Sequence, residues 1–200
     1  MKICIAQQNY HIGNFEANTK QIIDAIESAK QQGADLILFS EMSVSGYPAR
    51  DFVEFNDFIN QCYASVDAIR KVADTIGVLI GSPAHNTNEK GKPLYNAAFF
   101  LYDQKIQAEI HKTLLPTYDV FDENRYFEPA SEWKVVHFKG KKLAITICED
   151  IWHAGPARAA QAAGGSGGSR LGGDDFEHAA LVQFATAVGA GGAAVAQHED

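Results

Sequence analysis

Three reactive side chains each follow a segment that is typical of a β-strand. Glu41 comes after the strand-like segment 34–39, Lys112 after the segment 105–111, and Cys148 directly after Ile145-Thr146-Ile147. A rigid sheet presents the residues at its strand ends to a loop-lined cleft, so we expect these three side chains to share one site.

The three groups make coherent chemistry for cleaving an amide. A thiol is a good nucleophile only as thiolate, and the cation of Lys112 is expected to lower the thiol pKa of Cys148 and then to stabilise an oxyanion. Glu41 is the candidate general base, first toward the thiol and then toward the hydrolytic water. The backbone N–H of Glu149 is the natural second oxyanion donor.

Taken singly, each residue also has a structural interpretation. A cysteine that ends an apolar strand is more often a buried packing residue, and Glu41 or Lys112 alone is more often a solvated loop charge. Core packing is the better interpretation for Cys4 and Cys62. The seven histidines show no metal-ligand spacing, so no metal site is expected.

Hydrophobic periodicity predicts an α/β domain that opens with a β-α-β unit. Strands are predicted at residues 2–8, 34–39, 77–82, 94–102, 105–111, 133–138 and 142–148. Helices are predicted at residues 15–32, at about 52–76 with a break near Asn56, from 156 to 163, and weakly at 176–188. Residues 113–132 lack periodicity and are interpreted as a functional loop.

Composition narrows the class of protein. The 200-residue chain carries a net charge of −8, which disfavours binding to nucleic acid or to an anionic membrane. Three cysteines without a ligand-type spacing indicate a reduced, cytoplasmic protein. No run approaches the ~20 apolar residues that a membrane span needs, and the N-terminal apolar run is too short for a signal peptide.

Three motifs in order resemble the nitrilase superfamily, the carbon–nitrogen hydrolases. Ser-Glu-Met-Ser-Val-Ser-Gly-Tyr-Pro at 40–48 is similar to the glutamate motif, His-Lys-Thr-Leu-Leu-Pro at 111–116 to the lysine motif, and Ile-Cys-Glu-Asp-Ile-Trp at 147–152 to the cysteine motif. The resemblance implies a nitrilase-type α-β-β-α sandwich with mixed sheets, here incomplete, and a thioester on Cys148.

Residues 112–127 look like the glutaminase domain of glutamine-dependent NAD synthetases. That branch implies glutamine as substrate, with Tyr47, Tyr118 and Phe121 lining its pocket. It also implies that Glu123 supports the lysine, and Glu149 counts as a second supporting residue because its backbone N–H is the expected oxyanion donor. The domain itself would need no cofactor. Its ammonia would pass to a synthetase domain that uses ATP and deamido-NAD and is expected to be absent from this chain. Members of the family usually assemble as homo-oligomers.

The resemblance covers residues 1–163 and stops in mid-domain. Residues 164–200 form a tail rich in Gly, Ala and Ser that is out of the family pattern, where the family has an apolar strand. Our hypothesis is that the sequence is truncated or frame-altered after about residue 164. Two alternatives to a glutaminase therefore stay open: a stand-alone amidase or nitrilase acting on another small amide, and an inactive fragment.

Overall fold

The computed structural model describes residues 1–88, 90–152, 179–184 and 192–197, the last two ranges as backbone only. The strands are β1 Lys2–Gln7, β2 Leu36–Leu38, β3 Gly77–His85, β4 Leu94–Tyr102, β5 Lys105–His111, β6 Val135–Phe138, β7 Lys141–Ile147, β8 Ala179–Phe184 and β9 Gly192–Gln197. The helices are α1 Phe15–Gln31, α2 Asn56–Val72 and the single turn α3 Glu123–Tyr126, with 3₁₀ turns at Arg50–Glu54 and Cys148–Trp152.

The strands form two mixed sheets. A six-stranded sheet has the order β5-β4-β3-β2-β1-β9, in which β1, β2 and β3 are parallel and the other pairings are antiparallel. A three-stranded sheet has the order β6-β7-β8, with β6 antiparallel and β8 parallel to β7. The mixed sheets and the α/β class confirm the fold predicted from the sequence.

Each face of the six-stranded sheet is covered by a different layer. The apolar sides of α1 and α2, including Ile22 and Ile69, pack with Ile37 on one face. On the opposite face, Phe100 packs with Phe138 and Ile145 of the smaller sheet. Alternate side chains of a strand point to opposite faces, so these buried strands carry apolar residues on both. The order of layers is therefore helix, sheet, sheet.

Two of the predicted boundaries show how local sequence shapes the helices. Asn14 caps α1, its side chain accepting a hydrogen bond from the backbone N–H of Ala17. The predicted break near Asn56 is confirmed, because Phe55 is extended between the 3₁₀ turn and α2. Helices α1 and α2 are both amphipathic. No helix among the described residues is long and apolar enough to span a bilayer.

The weak helix predicted at residues 176–188 is wrong. The backbone of 179–184 is strand β8, which pairs with β7 in a register that sets Ala179 opposite Lys142 and Phe184 opposite Ile147. Its sequence Ala-Ala-Leu-Val-Gln-Phe contains β-branched and aromatic residues that favour a strand, and pairing with a neighbouring strand outweighs a weak helical periodicity. The helix predicted at 156–163 lies outside the described residues.

Candidate active site

Lys112 lies at the centre of a buried cluster of charges. It follows the last residue of β5, and its backbone N–H donates to the carbonyl oxygen of Asn96 on β4 at 2.8 Å. Its side chain is fully buried. The Nζ atom lies 2.7 Å from Oε1 of Glu41 and 2.8 Å from the carboxylate of Glu123. A buried ammonium needs such partners, since burial of an unpaired charge is very costly.

A close backbone approach positions Glu41. The loop that carries it runs against β3 at Gly81, where an added Cβ would lie 2.3 Å from the backbone nitrogen of Met42. The N–H of Val44 donates to the carbonyl oxygen of Gly81, and the hydroxyl of Ser43 accepts from the Gly81 N–H. A side chain at position 81 would therefore push the loop, and the Glu41 carboxylate with it, away from Lys112.

Asn96 is a site residue that the sequence reasoning missed. Its Nδ2 group donates to Oε1 of Glu41 at 2.7 Å and to Oε2 of Glu123 at 3.2 Å, so one amide joins both carboxylates. The available signal was an asparagine inside the apolar strand Leu94–Tyr102, because a buried polar side chain requires partners. Within the described residues, Oδ1 of Asn96 and Oε2 of Glu41 are buried without a hydrogen-bond partner.

Glu123 is the second carboxylate of the cluster. It begins α3, is 4% exposed, and accepts hydrogen bonds from Lys112, Asn96 and the hydroxyl of Tyr47 at 2.9 Å. Burial raises its pKa above the ordinary value, and the charge of Glu41 adds to the effect. Burial alone would lower the pKa of Lys112, but the charges of Glu41 and Glu123 outweigh it and the net pKa is raised. Lys112 is therefore an ammonium at neutral pH.

Cys148 stands at a sharp turn after β7. It begins a 3₁₀ turn with a φ of 50°, a left-handed conformation that costs a residue with a side chain about 1–3 kcal/mol. The side chain is half-buried. Such strain at a reactive residue is typical of functional sites, where the surrounding contacts hold the backbone in place.

The pKa of the Cys148 thiol is raised, whereas the sequence predicted that Lys112 would lower it. Burial and, to a lesser extent, the charge of Glu41 raise the pKa of Cys148 to about 12, and the opposing effect of Lys112 is smaller. The ammonium does not lower the net thiol pKa, because burial of the thiol and the charges of Glu41 and Glu123 outweigh its effect. Cys148 is thus a neutral thiol at pH 7, and its activation requires a base that removes the proton during attack. Oε2 of Glu41 is the carboxylate oxygen of the cluster that has no hydrogen-bond partner among the described residues.

The three predicted pocket residues form a continuous aromatic wall. The rings of Tyr47 and Phe121 lie 6.2 Å apart, and those of Phe121 and Tyr118 lie 5.6 Å apart. Tyr118 is 46% exposed, and its hydroxyl donates to Oε2 of Glu149 at 3.3 Å. A cavity of about 210 Å³ lies between Tyr47, Phe121 and Glu41. This volume suits a small ligand, and the cavity includes the candidate base.

The predicted site residues are therefore found together, although their catalytic roles stay predictions. Lys112 is in direct contact with both Glu41 and Glu123, and the charges of all three act on Cys148. Cys4 and Cys62 are buried elsewhere, as expected of packing residues. Among the described residues no group of His, Cys, Asp and Glu is arranged to hold a metal ion.

Comparison with known proteins identifies the family. A model of the carbon-nitrogen hydrolase family matches residues 2–166. The chain belongs to the carbon–nitrogen hydrolase family. It is 37% identical over 155 residues to the glutamine-dependent NAD(+) synthetase of Synechocystis sp., a match that covers 76% of this chain and 28% of that protein. It is also 37% identical over 151 residues to the enzyme of the same name from Acinetobacter baylyi. The chain thus spans less than a third of the length of these relatives.

Solved structures show the same fold. The glutamine-dependent NAD+ synthetase of Acinetobacter baumannii superposes with a TM-score of 0.72 at 36% identity, over 78% of this carbon–nitrogen hydrolase chain and 29% of that chain. An amidase from Nesterenkonia sp. superposes with a TM-score of 0.69 at 20% identity, over 92% of this chain and 76% of that one. At this lower identity the likeness to the amidase concerns the fold alone.

Proposed function

We propose that this chain hydrolyses the side-chain amide of glutamine through a thioester on Cys148. The observation that carries the proposal is the Lys112 ammonium, held between the buried carboxylates of Glu41 and Glu123 and acting on the thiol. The similarity of this chain to proteins named as glutamine-dependent NAD(+) synthetases supports glutamine as the substrate.

The first half of the reaction forms the thioester. Because the thiol is neutral at pH 7, Glu41 takes its proton as the sulfur attacks the amide carbon. The amide oxygen becomes an oxyanion, which the Lys112 ammonium and the backbone N–H of Glu149 stabilise. The protonated Glu41 then gives its proton to the leaving nitrogen, the C–N bond breaks, and ammonia departs.

The second half releases the acid. Glu41, again a carboxylate, takes a proton from water as the water oxygen attacks the thioester carbon. The same two donors stabilise the second oxyanion. Collapse of this intermediate breaks the C–S bond, the sulfur recovers the proton from Glu41, and glutamate leaves. Asn96 and Glu123 keep Glu41 and Lys112 in place throughout, since they contact both groups.

We further propose that the ammonia serves NAD synthesis. The relatives are named as NAD(+) synthetases, and this chain matches 28% of the one from Synechocystis sp.. The amidation of deamido-NAD with ATP would belong to a synthetase part that these 200 residues do not match. In that arrangement the residues of this chain hydrolyse glutamine and need no cofactor of their own.

Measuring ammonia released from glutamine tests the proposal. The wild-type chain is expected to release ammonia, and Cys148→Ala is expected to release none, with Cys62→Ala as the matched control because Cys62 is a buried packing residue. Ammonia from acetamide but not from glutamine would replace the proposal with a stand-alone amidase. No ammonia from either amide, with a folded chain, would make this chain an inactive fragment.

A further inference from the structure

Asp150 is a buried carboxylate that the reaction described above does not use. It lies in the 3₁₀ turn that begins at Cys148 and is 2% exposed. Oδ1 accepts hydrogen bonds from the backbone N–H of Thr113 at 3.1 Å, the hydroxyl of Thr113 at 2.5 Å and the backbone N–H of Leu114 at 2.9 Å. Oδ2 accepts from the backbone N–H of Ile147 at 3.2 Å. Both oxygens are therefore engaged.

These bonds join the two sheets beside the candidate site. Thr113 and Leu114 directly follow Lys112, which leaves the end of β5 in the six-stranded sheet. Ile147 is the last residue of β7 in the three-stranded sheet, and Cys148 follows it. One side chain thus links the segment that carries the ammonium to the segment that carries the thiol.

The bond to Ile147 also closes the turn around the nucleophile. Ile147 precedes Cys148 and Asp150 follows it by two residues, so this contact spans the left-handed backbone of Cys148. A residue in that conformation persists only where surrounding contacts hold it. Trp133 holds Thr113 from a second direction, because its indole N–H donates to the Thr113 hydroxyl at 3.2 Å.

We propose that Asp150 is a positioning residue that fixes the Cys148 sulfur relative to Lys112 and Glu41. This inference rests on the proposed function for its consequence in catalysis, but the geometry it describes can be measured separately. A carboxylate suits the role because it offers only acceptors, and all four of its partners are donors. An amide at this position would turn an NH₂ group toward one set of N–H donors.

The test compares Asp150→Asn with Asp24→Asn, which removes an exposed carboxylate on α1. The first readout is the rate at which iodoacetamide alkylates Cys148 between about pH 6 and pH 11, a range around the ordinary thiol pKa. The mass of the peptide that contains Cys148 reports the extent of alkylation. We expect Asp150→Asn to react at least about tenfold faster at pH 8, because a displaced sulfur is more solvated and lies farther from Glu41. Asp24→Asn is expected to match wild type.

The second readout is glutamine hydrolysis. A displacement near 1 Å costs about 100-fold in rate, so we expect kcat to fall by that factor while KM changes little. A folded Asp150→Asn variant with a wild-type alkylation profile would overturn the inference. If wild type alkylates as expected but releases no ammonia, the proposed function fails, and the alkylation comparison still decides the positioning role.

Thr113→Val provides a second variant should Asp150→Asn not fold. It removes one donor to Asp150 and leaves the carboxylate and its three backbone partners in place. We expect a smaller change of the alkylation profile in the same direction. An unchanged profile in this variant, with Asp150→Asn unfolded, would show that Asp150 stabilises the fold without positioning the thiol.

Discussion

Replacing Lys112 by methionine removes the ammonium but keeps a long side chain. In wild type the Nζ atom lies 2.7 Å from Glu41 and 2.8 Å from Glu123, and both carboxylates are almost fully buried. The variant would leave two like charges in a buried site without a counterion. Breaking a buried ion pair by removing one partner typically costs about 3–5 kcal/mol.

Urea unfolding at pH 7 measures this loss directly. For a chain of this length, about 3–5 kcal/mol corresponds to a fall in Tm of roughly 6–20 °C. Lys20→Met is the matched control, because the side chains of Lys20 and its partner Asp24 are 74% and 61% exposed. An exposed pair of this kind on a helix contributes about 0.3–0.5 kcal/mol, so the control is expected to change little.

Two further measurements separate charge repulsion from a simple packing defect. Lys112→Met/Glu123→Gln removes one of the two like charges and is expected to recover roughly 1–3 kcal/mol of the loss. In Lys112→Met alone, the folded state binds protons more readily than the unfolded state, so its deficit should shrink as pH falls from 7 toward 5. A Lys112→Met loss no larger than that of Lys20→Met would refute the buried charge cluster.

Three more predictions concern Asn96, Asp35 and Cys148. Asn96→Leu removes two hydrogen bonds to carboxylates and is expected to cost about 2–4 kcal/mol in urea unfolding; a loss below about 0.5 kcal/mol would contradict the bridging role. The hydrogen bond from Lys139 holds the pKa of Asp35 below 3.8, so Asp35→Asn should destabilise the chain at pH 7. Its difference from wild type should be full above pH 3.8 and should shrink as the pH falls through the lowered pKa of Asp35, and a difference that is as large in strong acid as at pH 7 would count against this pair. Because the pKa of Cys148 is about 12, its alkylation by iodoacetamide should still rise steeply between pH 9 and pH 11, and a plateau near pH 9 would contradict the burial of the thiol.

Much of the fold could be predicted because its signals are local. Two strand-like segments joined by a short turn predicted β4 and β5 at their observed bounds, and the helical spacing of Ile22 and Ile26 predicted α1. The strand at Ala179–Phe184 was missed because its strand-favouring residues are few and lie in a segment with weak helical periodicity. Pairing with β7 decides its conformation, and composition and periodicity do not encode that pairing.

Some features of the candidate site could also be predicted from the sequence, and others could not. Glu41, Lys112 and Cys148 could be selected from their types and strand-end positions, with the family motifs as support. Asn96 carried a signal as a polar residue in an apolar strand, but its partners could not be predicted, because they are two carboxylates that lie 55 and 27 residues away along the chain. The thiol pKa was also beyond the sequence. It depends on burial and on the balance between Lys112 and its carboxylate partners, which only the folded arrangement determines.

Trapping the covalent intermediate tests the central claim most directly. Wild-type chain is mixed with glutamine, quenched in acid within the first turnovers, and digested for mass spectrometry. We expect a glutamyl thioester on the peptide that contains Cys148, together with at least one ammonia per adduct, and neither in Cys148→Ala. Ammonia release without any adduct, or an adduct on Cys4 or Cys62 in its place, would contradict it.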